Sequence, residues 1–185
     1  VTIQNPCIPV LTTAIGREDW RTEANGNAFK KAFWPELKVH VIGVDDPKNQ
    51  RVSESEVAFE ERKNSWHKLL TSAQDPTLLV CNYESAWKLY DAVFKHDVLL
   101  DRIICDEAHT LKYANTETSK TVRPLIGRST VTTLITGTPV HNRPHDLHNL
   151  LDICAPSVFG TKFKFCSKYF RILTSKHGSA IGELL

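Results

Sequence analysis

The chain has 185 residues, of which 41% are hydrophobic and 24% are charged, and its formal net charge is only +2. These values are ordinary for a globular protein and predict one domain around a single core. No apolar run approaches the roughly 20 residues of a membrane helix and no signal peptide opens the chain, so we expect an intracellular protein without a membrane partner.

Strands and helices alternate along the predicted secondary structure. Apolar runs predict strands at residues 8–11, 39–44, 78–81, 102–105 and 131–135. Helical periodicity predicts helices at residues 18–33, 54–72, 85–96, 116–126, 144–154 and 162–172. The polar stretch 45–55 predicts a surface loop, and the weakly patterned residues 174–185 predict a frayed tail. Strict alternation favours an α/β fold with a mainly parallel sheet and helices on both faces.

Two adjacent carboxylates follow the fourth predicted strand. The run Arg-Ile-Ile-Cys at residues 102–105 leads directly into Asp106, Glu107, Ala108 and His109. A buried parallel strand delivers such groups to the carboxyl-end edge of the sheet, where ligands bind. A carboxylate pair there suits a divalent cation and a polarised water, the two needs of phosphoryl transfer. Taken alone, the pair is also compatible with a helix cap or an acidic surface patch.

The fifth predicted strand repeats this arrangement. Leu134 and Ile135 are followed by Thr136, Gly137, Thr138 and Pro139, a polar turn after an apolar run. We expect this turn and the Asp106–Glu107 doublet to share one crevice at the sheet edge. Ordinary turn chemistry is the alternative role of the two threonines.

These two segments resemble motif II (Asp-Glu-Ala-His) and motif III (Thr-Gly-Thr-Pro) of superfamily-two helicases, and more narrowly of the Swi/Snf-like branch of double-stranded-DNA translocases. Flanking residues carry the narrower resemblance, which is good from about residue 78 to 170. They are Cys81-Asn82-Tyr83-Glu84 (motif Ib), Lys112, Ser119-Lys120, the Asn142 that follows motif III, the Leu-rich segment 146–151 and Phe159-Gly160. Trp20 and Glu23 match the family's motif Ia only weakly.

The resemblance implies a RecA-like three-layer α/β/α fold, with residues 1–172 as a partial helicase lobe one and residues 173–185 as a tail or the start of a further segment. It implies that Asp106 partners Mg²⁺ through the nucleotide, that Glu107 is the general base and that His109 reports nucleotide state. By the same resemblance, Thr136, Gly137 and Thr138 couple hydrolysis to DNA movement. Tyr83, Glu84 and Lys112 would lie near the DNA, although Tyr83 is equally well interpreted as a core aromatic and His109 as a structural histidine.

ATP and Mg²⁺ are the cofactors that the resemblance implies. The implied partners are double-stranded DNA, a second RecA-like lobe and chromatin or repair proteins, with the nucleus as the location in a eukaryote. No glycine of the chain is followed by Lys-Ser or Lys-Thr, so the phosphate-binding P-loop is absent from this sequence. In the family that loop would precede Val1, and the lack of any methionine also suggests an excerpt of a longer chain. We therefore expect the 185 residues to be inactive alone.

Two other interpretations stay open for the whole chain. A degenerate, non-catalytic lobe would keep the fold and serve as a protein- or DNA-binding scaffold. An RNA-directed helicase of the Asp-Glu-Ala-His group shares motif II, but it expects Ser-Ala-Thr where this chain has Thr-Gly-Thr.

Three further residue patterns bear on metal binding, phosphate binding and disulfide formation. His141, His145 and His148, with Asp146 among them, could hold a metal, although the spacing matches no closed zinc pattern. A helix carrying Lys164, Lys168 and Arg171, with Lys162 nearby, could meet phosphates or be a solvated face. The five cysteines lack close-paired spacing, which argues against a disulfide framework and fits a reducing compartment.

Overall fold

The structure, a computed structural model, describes residues 7–17, 19–20, 36–42, 66–139, 144–175 and 178–184. Most of the predicted helix at 18–33, the predicted loop at 45–55 and the first part of the predicted helix at 54–72 lie outside these residues. Residues 14–17 and 19–20 are helical, as are residues 66–72.

A parallel sheet forms the centre of the fold. Its strands are β1 (Cys7–Thr12), β2 (Lys38–Val41), β3 (Thr77–Asn82), β4 (Leu100–Cys105) and β5 (Ser129–Leu134). Among the described residues the order is β2-β3-β1-β4-β5, and every neighbouring pair is parallel. The predicted α/β fold with a parallel sheet is therefore confirmed. Because the chain leaves β3 on one side of β1 and returns as β4 on the other, the strand order reverses at β1, where open α/β sheets bind ligands.

The helices that follow the strands are α1 (Ala86–Lys95), α2 (Glu117–Gly127), α3 (Pro144–Cys154) and α4 (Lys162–Tyr169). The first three lie within two residues of their predicted limits. Thr116 and Thr161 accept hydrogen bonds from the backbone N–H groups of Ser119 and Lys164, and so cap α2 and α4. No helix in the described ranges combines the length and the apolar character needed to cross a bilayer.

The predicted end of the chain is wrong. The helix predicted at 162–172 ends at Tyr169, because Phe170 has an extended backbone and begins β6 (Phe170–Ser175). β6 pairs antiparallel with β7 (Gly178–Leu184), so the predicted frayed tail is a hairpin. Strand β6 also runs through the predicted boundary at residue 172. The β-branched residues of the segment Arg-Ile-Leu-Thr-Ser favour the strand, and the pairing satisfies backbone groups that a fray would leave to water.

The core lies mainly on one face of the sheet. Side chains alternate along β4, so that Ile103 and Cys105 join the buried cluster that includes Leu89 of α1 and Leu125 of α2. Ile104 points to the opposite face, where Val10 and Val80 pack with Trp20. Both faces of the central strands are thus covered by apolar side chains, as expected for a parallel sheet.

Replacing Ile103 by alanine tests this assignment of the core. Ile103 is fully buried, so Ile103→Ala should lower the free energy of unfolding by about 2–5 kcal/mol in chemical denaturation. Val131 on the neighbouring strand β5 is 40% exposed, and Val131→Ala should cost roughly 0.5 kcal/mol or less. Equal losses at the two positions would contradict the core described here.

Candidate functional site

The carboxyl ends of β1, β4 and β5 are joined by backbone hydrogen bonds beyond the strands themselves. The N–H of Asp106 donates to the carbonyl of Leu11 at 2.7 Å, and the N–H of Ile135 donates to the carbonyl of Cys105 at 2.8 Å. The N–H of Ala108 then donates to the carbonyl of Ile135 at 2.9 Å. The acidic doublet and the Thr-Gly-Thr turn therefore meet at one edge of the sheet, called here the carboxyl edge.

The carboxylate of Asp106 is held by three donors among the described residues. Its Oδ2 accepts from the Thr12 hydroxyl at 3.1 Å and from the indole N–H of Trp20 at 2.9 Å. Its Oδ1 accepts from the backbone N–H of Glu107 at 3.0 Å. Hydrogen bonds of this kind fix the orientation of a carboxylate.

Glu107 turns the chain away from the sheet. Its backbone is left-handed, with φ 50° and ψ 45°, which is a strained conformation for a residue with a side chain. The N–H and hydroxyl of Thr110 both donate to its carbonyl, at 3.1 Å and 3.0 Å, and help to hold that conformation. The Glu107 side chain is about half exposed, and its Oε2 lies 3.2 Å from Nδ1 of His109.

His109 bridges the two motifs. Its Nδ1 lies 3.5 Å from the hydroxyl oxygen of Thr136 as well as close to Glu107. The Thr136 hydroxyl also accepts from the backbone N–H of Thr138 at 3.2 Å, which closes the turn around Gly137. Gly137 and Thr138 are exposed, so this turn is open to solvent at the carboxyl edge.

The residues predicted to lie near DNA separate into two groups. Tyr83 is only 3% exposed, and its hydroxyl donates to the backbone carbonyl of Asp106 at 2.8 Å, so its burial fits the core interpretation. Glu84 is exposed and accepts from the Asn82 side chain at 2.8 Å. Lys112 is half-buried, with its ammonium 5.1 Å from the centre of the Tyr113 ring and its carbonyl bonded to the Asn149 amide.

The histidine pattern does not gain support. His141 lies outside the described residues, and the side chain of His145 is likewise undescribed. His148 is buried, its Nε2 lies 3.0 Å from the Gly160 carbonyl oxygen, and its ring packs on Phe165. The described part of the chain contains no group of three or more His, Cys, Asp or Glu arranged to hold a metal.

The carboxylate oxygens of Asp106 and Glu107 fit the Mg²⁺ that the sequence resemblance implies. Mg²⁺ prefers carboxylate oxygen and usually keeps several waters while it shares one or two carboxylates with substrate phosphates. Asp106 and Glu107 supply such oxygens without forming a closed protein cage. A phosphate-binding loop with the Gly-Lys-Ser/Thr pattern is absent from the sequence, so these residues account for a cation contact and not for the grip on a triphosphate.

Two residues of this site were missed by the sequence reasoning. The sequence pattern assigned no role to Thr12, and Trp20 only matched motif Ia weakly. Both contact Asp106 because β1 lies beside β4, a neighbourhood that chain order does not reveal. The available signal was the position of both residues at the end of a predicted strand and in the helix that follows it.

Removing the Tyr83 hydroxyl tests the support beneath the acidic doublet. Tyr83→Phe leaves the Asp106 carbonyl without its donor and should lower the free energy of unfolding by about 1–3 kcal/mol. Burial, together with the nearby Cys105, Asp106 and Glu107, raises the pKa of Tyr83. The folded state therefore retains a proton that the unfolded state releases above the ordinary tyrosine pKa of about 10.

The wild-type protein should accordingly lose stability as the pH rises above about 10. The decline with pH should be shallower in Tyr83→Phe, as measured by denaturation at several alkaline pH values. Buried Cys7 and Cys81, whose pKa values are raised to about 12 mainly by burial, contribute a further decline that both proteins share. Identical pH profiles for the two proteins would contradict a buried, protonated Tyr83.

Known DNA repair proteins share sequence with part of this chain. The chain is 26% identical over 103 residues to the DNA repair and recombination protein RDH54 of Saccharomyces cerevisiae, and 34% identical over 98 residues to the DNA excision repair protein ERCC-6-like of Danio rerio. The matches cover 56% and 52% of this chain but only 11% and 6% of those relatives. The chain thus spans about a tenth or less of the length of these curated relatives.

The fold has a solved counterpart. The Sulfolobus solfataricus SWI2/SNF2 ATPase core in complex with dsDNA superposes with a TM-score of 0.58 at 21% identity, covering 90% of this chain and 29% of that one. At this identity the likeness supports the fold alone. Residues 18–184 match the SNF2-related domain, and the match covers most of the chain. The chain therefore belongs to the SNF2-related domain family.

Proposed function

We propose that the chain forms most of lobe one of an ATP-dependent translocase on double-stranded DNA. The observation that carries the proposal is the backbone-linked meeting of the Asp106–Glu107 doublet with the Thr136–Thr138 turn at the carboxyl edge, in a chain of the SNF2-related domain family. Such an edge is where an α/β sheet binds a nucleotide.

Glu107 is suited to act as the general base on the attacking water. Its carboxylate is half-exposed at the crevice, whereas that of Asp106 is tied to the neighbouring strand and helix. A general base must reach the water directly, so the exposed carboxylate is the one positioned for the task. His109, at 3.2 Å, orients this carboxylate in the described state.

Asp106 would hold the cation of a bound nucleotide. Mg²⁺, when bound, neutralises charge on the phosphates. The three hydrogen bonds on the Asp106 carboxylate fix its orientation for that task. The missing Gly-Lys-Ser/Thr loop and the second lobe would come from other parts of a full-length protein, so the 185 residues alone should hydrolyse ATP negligibly.

His109 and Thr136 would link nucleotide state to the DNA path. The His109 ring stands between the Glu107 carboxylate and the Thr136 hydroxyl, at 3.2 Å and 3.5 Å, so it can respond to a change at either. Exposed Glu84 and half-buried Lys112 are the residues we assign to the DNA side, with Tyr83 acting from the core. Chromatin or repair proteins as partners, and the nucleus as the location in a eukaryote, belong to this same proposal.

A non-catalytic scaffold is the second candidate. It is favoured by one observation, the absence of a phosphate-binding loop from this sequence. A scaffold that keeps the fold would bind DNA or protein without ATP hydrolysis, so the measurements below separate the two functions whatever precedes Val1.

Glu107→Gln tests the assigned base in the full-length protein. The amide keeps the shape but cannot accept a proton, so DNA-stimulated phosphate release should fall by about 10²–10⁴-fold while DNA affinity is retained. Glu117→Gln is the matched control, since Glu117 is exposed on α2 and pairs only with Lys120 among the described residues. Unchanged phosphate release in Glu107→Gln would reject the base assignment. A wild-type protein that binds DNA without hydrolysing ATP would favour the scaffold.

The lysines of α4 test whether this helix contacts DNA. Lys162, Lys164 and Lys168 are exposed, as is Phe163 beside them. If Lys164 and Lys168 meet phosphates, the double variant with alanine should reduce the slope of log affinity against log salt by about one per lysine. Lys38→Ala is the control, because Lys38 lies at the opposite, amino end of the sheet. An unaltered slope would identify α4 as a solvated face.

A further inference from the structure

We infer that Thr12, Gly16 and Trp20 form a clamp on the Asp106 carboxylate, in which Thr12 and Trp20 are positioning residues and Gly16 provides the space. The existence of the clamp can be tested without ATP. Its role in catalysis rests on the proposed function. We call these three residues the carboxylate clamp.

The clamp is built on the turn that leaves β1. The Thr13 hydroxyl accepts from the N–H of Gly16 at 3.1 Å, and the Arg17 N–H donates to the Thr13 carbonyl at 2.9 Å. Thr13 thereby caps a helical turn that starts directly after the strand. Gly16 and Trp20 are four residues apart, so they share the helix face that lies over Thr12 and Asp106.

The hydrogen bonds occupy most of the acceptor sites on the Asp106 carboxylate. Each carboxylate oxygen has two acceptor sites. At Oδ2 both sites are filled, by the Thr12 hydroxyl at 3.1 Å and the Trp20 indole at 2.9 Å. At Oδ1 the Glu107 N–H fills one site, at 3.0 Å, so among the described residues a single site remains. Asp106 can therefore take one further partner, and only through Oδ1.

Gly16 is required because the Thr12 hydroxyl occupies the space of a side chain. A Cβ built on Gly16 would lie 2.3 Å from Oγ1 of Thr12, far inside contact distance. Thr12 is fully buried and β-branched, so its hydroxyl can yield only by rotating away from Asp106 or by moving the helix. The lack of a side chain at position 16 thus maintains a hydrogen bond at position 106.

Trp20 offers a direct spectroscopic report on the clamp. The chain has four tryptophans, and Trp20→Phe assigns the indole N–H signal of Trp20 in a ¹⁵N-tryptophan-labelled sample of the 185-residue chain. A donor bonded to a carboxylate is deshielded, so Asp106→Asn should shift the Trp20 signal upfield. The signal of Trp87, which is half-exposed on α1 and assigned by Trp87→Phe, should stay in place.

The role of Gly16 is tested in the same spectrum. Gly16→Ala should displace the Thr12 hydroxyl and move the Trp20 signal, and the displacement should be much smaller when Thr12→Ala has already removed that hydroxyl. Ile15→Ala is the matched control, because Ile15 is the neighbouring residue and is 81% exposed. A Trp20 signal that ignores both Asp106→Asn and Gly16→Ala would overturn the clamp.

The positioning role is measured in the full-length protein. Thr12→Ala and Trp20→Phe should lower kcat of the DNA-stimulated ATPase by about 10–100-fold with KM for ATP nearly unchanged, as expected when the carboxylate that holds the cation stays present but is misplaced. Thr12→Ser keeps the hydroxyl and should restore kcat, whereas Trp87→Phe should have no effect. Loss of thermal stability with a normal kcat would show that Thr12 and Trp20 serve structure alone and would reject the positioning role. A wild type without ATPase activity would end the proposed function and the clamp's purpose with it, while the indole spectrum would still decide whether the clamp exists.

Discussion

The pairing of β4 continues past its last residue on both sides, and the candidate site depends on this continuation. Asp106 bonds back to Leu11 on β1, while Cys105 accepts from Ile135 beyond β5. These two bonds place the acidic doublet between the segments that leave β1 and β5. The side-chain contacts of the site lie on either side of this doublet. Thr12 and Trp20 contact Asp106 from the β1 side, and Thr136 contacts His109 from the β5 side, at distances that the backbone pairing makes reachable.

The left-handed residue at position 107 gives the two carboxylates different environments. Had β4 continued as a strand, Asp106 and Glu107 would point to opposite faces of the sheet. The positive φ of Glu107 instead turns the chain into the short helical turn at Ala108–Leu111 and leaves its side chain half-exposed at the crevice. Asp106 remains bound to the sheet, from above by Thr12 and Trp20 and from below by the Tyr83 hydroxyl on its carbonyl. The strained backbone of one residue thus gives two adjacent acids different surroundings.

The features that could be predicted from the sequence are those that depend on local residue patterns, namely the positions of the strands and helices and the edge at which the strands end. Apolar runs located the five strands of the parallel sheet, and helical periodicity located α1, α2 and α3 closely. The common end of parallel strands brought Asp106 and Thr136 together as expected. The errors came from non-local pairing. The helical spacing of residues 162–172 was overridden by β6–β7 pairing, and the contacts of Thr12 and Trp20 required knowledge that β1 neighbours β4. Tyr83 was left open between two roles because its burial depends on α1 and β4 packing over it.

The polar groups of the carboxyl edge divide into a fixed half and an adjustable half. Asp106, Thr12 and Trp20 are bonded at 2.9–3.1 Å, and Thr12 is fully buried. Glu107, His109 and Thr136 meet at 3.2–3.5 Å around half-exposed side chains and an exposed turn. Bonds of the second kind cost little to exchange, because water can satisfy the same groups once they separate. Under the proposed function, Asp106 would keep a cation in place while Glu107 and His109 change partners, and this division would serve both needs. The fold produces this division because Asp106 is hydrogen-bonded to β1 and the helical turn after it, whereas Glu107 follows in a left-handed conformation with its side chain half-exposed.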